Sequence, residues 1–427
     1  MSSDTRPARS PRRFDVVLWG ATGFTGELVA EYLARTYGVG GGVRWALAGR
    51  SREKLEKVRT ALEAIDARAR DLPLLLGDSA DRASLDTVAR DARVVVSTVG
   101  PYALYGKELV AACVEAGTDY CDLTGEFPFV REMIDLHHER ARATGSRIVH
   151  SCGYDSIPSD LGTLMLQTYM RNKHGGRCVE VKCFAGGETT MAISGGTAAS
   201  MLQLVKDASS SARVRKMLAD PYALDPGRET RGPDGKDQAG PRYDADLERW
   251  TGPFMMAATN ARIVRRTNAL LGYAYGRDFR YSEAMSFGTG AGGWLAAAAT
   301  AAGNVGFITA AAIPPTRWLL TKVVLPAPGE GPSRERRESG SFVTRLVGVG
   351  ETSNGSAAAR VFGTVKGTQD PGYGATSRML GESAVCLALD GEIPSAGGVL
   401  TPGACMGMRL VERLRGAGMT FEASETR

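Results

Sequence analysis

Three glycines, Gly20, Gly23 and Gly26, follow the apolar run Val16–Leu18 and open a helical pattern carried by Leu28, Val29, Tyr32 and Leu33. In that order Gly20 permits a tight turn, Gly23 lets the backbone approach a pyrophosphate, and Gly26 lets the helix pack closely on the strand. Residues Gly20, Ala21, Thr22, Gly23, Phe24, Thr25 and Gly26 are therefore expected to cradle a dinucleotide, with the N–H groups of the helix start facing its phosphates. The next apolar run, Val43–Ala48, ends in Gly49-Arg50-Ser51-Arg52. An NAD-selective site carries an acid there for the ribose 2′-hydroxyl. The planar fork of Arg50 and the Ser51 hydroxyl suit a 2′-phosphate instead, so the expected cofactor is NADPH.

Three further clusters could carry the reaction. Thr98, Val99, Gly100 and Pro101 follow the strand-like run Arg93–Ser97 and are expected under the nicotinamide. Tyr102, just beyond, is a candidate acid, because a phenol can protonate a developing enolate or alkoxide; Tyr105 is a second. Asp119–Glu126 ends the following strand with several polar side chains, and Glu126 is a candidate catalytic carboxylate. His150–Asp160 is dense in hydroxyls and carboxylates. Ser159 or Asp160 could cap the helix that starts there, whereas Asp155 is less easily explained as a cap and is a third catalytic candidate. Cys152 beside His150 raises a nucleophile–base pairing.

These clusters need a scaffold that brings strand ends together. Candidate strands at 14–19, 43–48, 73–76, 93–97, 119–123 and 147–151 alternate with helical patterns at 26–37, 51–65, 106–116 and 128–144. That rhythm predicts a doubly wound parallel sheet, a Rossmann domain, over residues 14–152. The fold class is α/β with a second α+β domain, for substrate or dimerisation, over 153–375. Its strands are expected at 179–184, 261–265 and 279–285. Residues 216–249 read as a polar excursion and 326–340 as a linker. The uncharged stretch 286–316 reads as a buried or interfacial helical hairpin, able to line an acyl tunnel or touch lipid. Residues 376–427 could pack back on the first domain, and the polar 1–13, which lacks a secretory h-region, is expected to be disordered.

The 427 residues carry a net charge of +5 with the charges interspersed, which implies no nucleic-acid tract. Seven cysteines without short paired spacings and four histidines argue against a disulfide framework or a metal site, and for a reducing, cytoplasmic setting.

Trp19–Gly26, Ala48–Ser51, Thr98–Tyr102, Asp122–Glu126, Cys152–Asp160, Gly329–Ser333 and Gly397–Gly407 together resemble the saccharopine dehydrogenase-like oxidoreductases, and within them the actinobacterial trans-acting enoyl reductase group. The resemblance implies NADPH-dependent reduction of a carbon–carbon double bond in a polyketide- or lipid-derived acyl chain. It also implies a substrate that is small or carrier-bound, and a polyketide synthase partner lacking its own enoyl reductase. A homodimer through the second domain and a peripheral membrane contact are further expectations. Two alternatives stand beside this reading. One is a saccharopine-type reductase acting on an imine, with Arg262, Arg265, Arg266 and Arg277 available for carboxylates. The other is a membrane-associated NADPH-binding scaffold without turnover.

Overall fold

Short, doubly buried strands build the first sheet. β1 (Phe14–Trp19) is buried at every residue and lies between β2 (Trp45–Gly49) and β4 (Ala92–Ser97), with Val16 in register with Trp45 and Val94; β3 (Leu74–Leu76) extends the edge beyond β2. β5 (Asp119–Asp122) and β6 (Arg147–Val149) continue on the other side of β4. All these pairings are parallel, which helices on both faces make possible by covering each apolar strand. The helix Phe24–Tyr37 buries Gly26, Val29, Ala30, Leu33 and Ala34, a stripe at helical spacing that packs on the sheet.

The computed structural model describes residues 11–186, 195–226, 232–325, 331–351, 358–391 and 397–426. Most of the 1–13 segment expected to be disordered, and Gly329 and Glu330 of the 329–333 motif, lie outside these residues.

The second sheet is mixed. β7 (Cys178–Gly186) runs parallel to β10 (Arg280–Ser286) and antiparallel to β11 (Phe342–Gly350). A small hairpin, β8 (Arg242–Asp244) and β9 (Arg249–Gly252), adds beyond β10, so the polar excursion is not wholly irregular. β12 (Arg360–Gly367) adds beyond β11. The chain then visits both sheets. β13 (Gly398–Leu400) pairs in parallel with β6 of the first sheet, and β14 (Thr420–Ser424) pairs with β12 of the second. The helix Thr376–Leu389 packs on the helix Phe24–Tyr37, where Glu382 accepts the Tyr32 hydroxyl at 2.6 Å and the Arg413 guanidinium at 3.1 Å.

Three sequence expectations fail here. Residues 261–265 are not a strand but lie in the helix Ala257–Leu270, nearly all of whose residues are buried. Burial on every side removes the polar face that would have betrayed the helix, and the β-branched Ile263 and Val264 imitate a strand. The 286–316 stretch is not a buried hairpin. It holds one 23-residue helix, Gly290–Ala312, of which only Gly293, Ala297 and Ala311 are buried, followed by a short helix Pro314–Leu319. Within the expected 326–340 linker, Arg334–Ser339 is helical, capped by the Ser333 hydroxyl.

Candidate functional site

The site lies at the C-terminal ends of β1, β4, β5 and β6. The chain leaves β1 through Gly20 at φ +85°, a conformation that favours glycine. The Gly20 and Ala21 amides donate to the Ala48 carbonyl at 3.0 and 3.2 Å, and the Gly23 amide closes the turn on the Gly20 carbonyl at 3.0 Å. The first helical bond runs from the Glu27 amide to the Gly23 carbonyl, so the amides of Phe24, Thr25 and Gly26 precede the ladder. A Cβ on Gly26 would stand 2.9 Å from Ala21 Cα and collide with the Gly20 carbonyl. This is a cradle that fits a pyrophosphate. Thr22 and Phe24 are half-buried on its rim. Thr98 braces the cradle from beneath, its hydroxyl donating to the Trp19 and Gly20 carbonyls at 3.2 and 3.1 Å, and Val99 packs against Gly20. Arg50 is exposed at the tip of β2, and Ser51 caps the helix Arg52–Leu62 by accepting the Lys54 amide at 3.3 Å.

Beyond β4, Gly100 and Pro101 lead into a single helical turn, Tyr102–Tyr105. Glu126 holds its start: one carboxylate oxygen accepts the Tyr102 amide and the other the Ala103 amide, both at 2.9 Å, and the Ser200 hydroxyl adds a third bond at 2.7 Å. A negative charge at a helix N-terminus is favourable there. Burial nevertheless pushes the Glu126 carboxyl up, against those three donors. The Tyr102 hydroxyl, expected to face substrate, instead donates to the Ser97 carbonyl at 3.0 Å and is buried, and burial raises its pKa well above that of a free phenol.

Asp155 differs from both. It is half-buried beside Gly125, where a Cβ would lie 3.4 Å from its carboxylate and 3.1 Å from Met256. Among the described residues it has no hydrogen-bond partner, and burial lifts its pKa to about 6. Of the three candidate carboxyl and phenol groups it alone is partly exposed and without a hydrogen-bond partner among the described residues. Its neighbours are committed elsewhere: Ser156 donates to Asn260, Ser159 to Glu283, and Asp160 accepts Thr267 and the Gly403 amide. Neither Ser159 nor Asp160 is a cap. The Cys152–His150 pairing is not formed. Cys152 is buried with its thiol toward the Val149 carbonyl, and His150 Nδ1 bonds Asp122 at 2.7 Å.

Residues 16–149 match the model of the saccharopine dehydrogenase NADP-binding domain. A trans-acting enoyl reductase of Mycobacterium bovis is 42% identical over 96% of this chain and 97% of its own, and one of Mycobacterium leprae is 39% identical over the same shares. A Mycobacterium tuberculosis protein, 45% identical over 97% of this chain and 98% of its own, carries the same name provisionally.

The chain belongs to the trans-acting enoyl reductase family.

With its NADP-binding domain, this family member is an NADP-dependent oxidoreductase. Its fold is that of the yeast saccharopine dehydrogenase (L-Glu forming), at 14% identity and a TM-score of 0.52, over 96% of this chain and 99% of that one.

Several residues of this reductase's site carry no sequence signal. Ser200 reaches Glu126 from the helix Gly195–Ser210, far along the chain. Tyr373 meets the Phe24 ring edge-on at 5.1 Å while the Arg337 guanidinium lies 5.3 Å from its centre, so the second domain closes over the cradle. Asp122, fully buried, collects His150, the Tyr120 hydroxyl at 3.0 Å and the amides of Thr124 and Ser151, and so locks the ends of β5 and β6. Three of the four arginines offered for a polycarboxylate are spent. Arg262 bonds the Asp220 and Leu218 carbonyls, Arg265 pairs with Asp234 at 2.7 Å, and Arg266 bonds the Leu224 and Val399 carbonyls, all three buried. Arg277 is exposed and lies over Tyr273. A cavity of about 690 Å³ under the polar excursion shares no lining residue with the cradle, and its Lys182 pairs with Asp244 and Asp246.

Proposed function

We propose that this chain reduces the carbon–carbon double bond of an α,β-unsaturated acyl thioester, delivered by a separate synthase module that lacks this activity. The observation that carries the reading is the Asp155 carboxyl beside Gly125, without a hydrogen-bond partner among the described residues, set in a chain that matches trans-acting enoyl reductases along nearly its whole length.

NADPH, when bound, supplies hydride to the β-carbon of the acyl chain. The chain's own residues then have distinct tasks. Arg50 takes the 2′-phosphate and gives preference for NADPH over NADH. The open amides of Phe24, Thr25 and Gly26 take the pyrophosphate. Thr98 and Val99 fix the Gly20 turn, and Gly100 and Pro101 form the floor under the nicotinamide. Asp155 holds the proton that goes to the α-carbon, since a carboxyl with a pKa near 6 can be protonated in mild acid and give up its proton readily. Glu126 and Tyr102 are positioning residues: the carboxylate pins the 102–105 turn and the phenol pins it to β4.

The saccharopine-type alternative loses its motivation because Arg262, Arg265 and Arg266 are committed to carbonyls and acids. The test is NADPH oxidation by the purified protein with enoyl thioesters of graded chain length and, separately, with imine mixtures. Turnover on thioesters with a gain of two hydrogens supports the proposal. Turnover confined to imines refutes it.

A further inference from the structure

The helix Gly290–Ala312 is long and apolar enough to cross a membrane by length and composition, yet the fold forbids a single crossing. β10, which precedes it, ends at Ser286 beside Ala185 and Gly186 of β7; β11, which follows, starts at Phe342 beside the same end of β7. The excursion therefore leaves and returns at one end of one sheet, about 10 Å apart, whereas a crossing would separate its ends by about 30 Å.

What the excursion presents is an apolar surface without a polar side. A narrow strip of small residues, Gly293 and Ala297 with Asn304, lies on β9 and Pro253. The rest faces outward: Trp294 is 44% exposed, Leu295 60%, Val305 64%, Trp318 64% and Val323 72%. Between Glu283 and Glu330 the sequence has no acid, and its only charges are Arg317 and Lys322. A soluble helix that is apolar all round is normally buried. A second copy of the chain would cover one face of this helix, whereas a lipid phase covers every face that β9 and the helix Gly195–Ser210 leave open. Tryptophans at both ends and cations at one end suit the headgroup boundary of an anionic bilayer.

We propose that the excursion 290–323 lies in the plane of an anionic lipid bilayer and anchors the enzyme peripherally. The inference is independent of the reaction assigned above. It also places the lipid next to the site, because the helix Gly195–Ser210, whose Ser200 bonds Glu126, packs on the apolar helix.

The test uses the full chain with vesicles of phosphatidylcholine alone and of phosphatidylcholine with phosphatidylglycerol, read by flotation and by quenching of tryptophan fluorescence with brominated acyl chains. The protein should float with the anionic vesicles and be quenched. Leu295→Asp and Val305→Asp should each lower the partition roughly tenfold or more, and Arg317→Glu with Lys322→Glu should abolish the preference for the anionic lipid. NADPH binding retained by each variant shows that it is folded. Absence of wild-type protein from the floated fraction overturns the proposal, as does flotation that all these variants leave unchanged. A dimer in sedimentation that Leu295→Asp dissolves, without flotation, assigns the surface to a second copy and overturns it equally.

Discussion

The Ser200 hydroxyl donates to the Glu126 carboxylate at 2.7 Å, joining a helix of the second domain to the turn that follows β4 of the first. The same carboxylate accepts the Tyr102 and Ala103 amides, so one buried side chain ties the Tyr102–Tyr105 turn to the helix Gly195–Ser210.

Removing that charge should loosen both. Glu126→Gln sets an amide group against an N–H donor and is expected to cost on the order of 1–3 kcal/mol, with Ser200→Ala costing less. Chemical denaturation of the two single variants and the double variant should reveal a coupling on the order of 1 kcal/mol. Strict additivity would separate the two residues.

Asp155→Asn should lower kcat by roughly a hundredfold or more while leaving NADPH affinity in place. Because burial raises this carboxyl to about 6, the protonated form is lost as pH rises through that value. The wild-type kcat should therefore fall with rising pH above about 6 and the Asn variant should show no such limb. Retention of the limb in the variant would move the proton to another group.

The cradle gives two sharper tests. Arg50→Ala should weaken NADPH binding by roughly 10- to 100-fold and spare NADH, since the lost contact is to the 2′-phosphate alone; equal loss for both cofactors contradicts the assignment. Gly26→Ala brings a methyl group onto the Gly20 carbonyl and should cost about 1–3 kcal/mol of stability together with cofactor affinity. Isothermal titration and thermal melts read the two effects separately.

Stability should also depend on pH through two buried carboxyls of the second domain. Burial raises Asp160 from 3.8 to about 7 and Glu283 from 4.5 to about 7. A carboxyl raised on folding favours the folded state while protonated, so its contribution is complete below its unfolded pKa and is lost as pH rises through about 7. Tm should accordingly decline as pH rises through that window, and less steeply in Glu283→Gln. A Tm that rises across the same window would contradict the assigned direction.

Strands β1, β2 and β4 were legible because they are short apolar runs buried on both faces, and Gly20–Gly26 advertise their turn by spacing alone; β13, three residues that join the same sheet beside β6, gave no such run. The helix Ala257–Leu270 was not, because buried arginines bonded to carbonyls look in sequence like surface charges. The helix Gly290–Ala312 was misread as broken because Asn304 and its many glycines are poor helix formers. In the fold, Asn304 approaches the Pro253 carbonyl at 3.5 Å and the glycines do not interrupt the helix. Ser200, Arg337 and Tyr373 reach the site only through tertiary contact, so no local pattern announced them. Asp155 stands out in the sequence because it fits no capping role, whereas the packing that buries Tyr102 and occupies its hydroxyl is seen only in three dimensions.

The most direct measurement is transfer of label. The protein, given NADPH deuterated at the transferring position of the nicotinamide and an α,β-unsaturated acyl thioester, should yield a saturated thioester carrying one deuterium at the β-carbon and a solvent proton at the α-carbon. A thioester recovered unsaturated and unlabelled, while an imine substrate takes up the deuterium, would contradict the account.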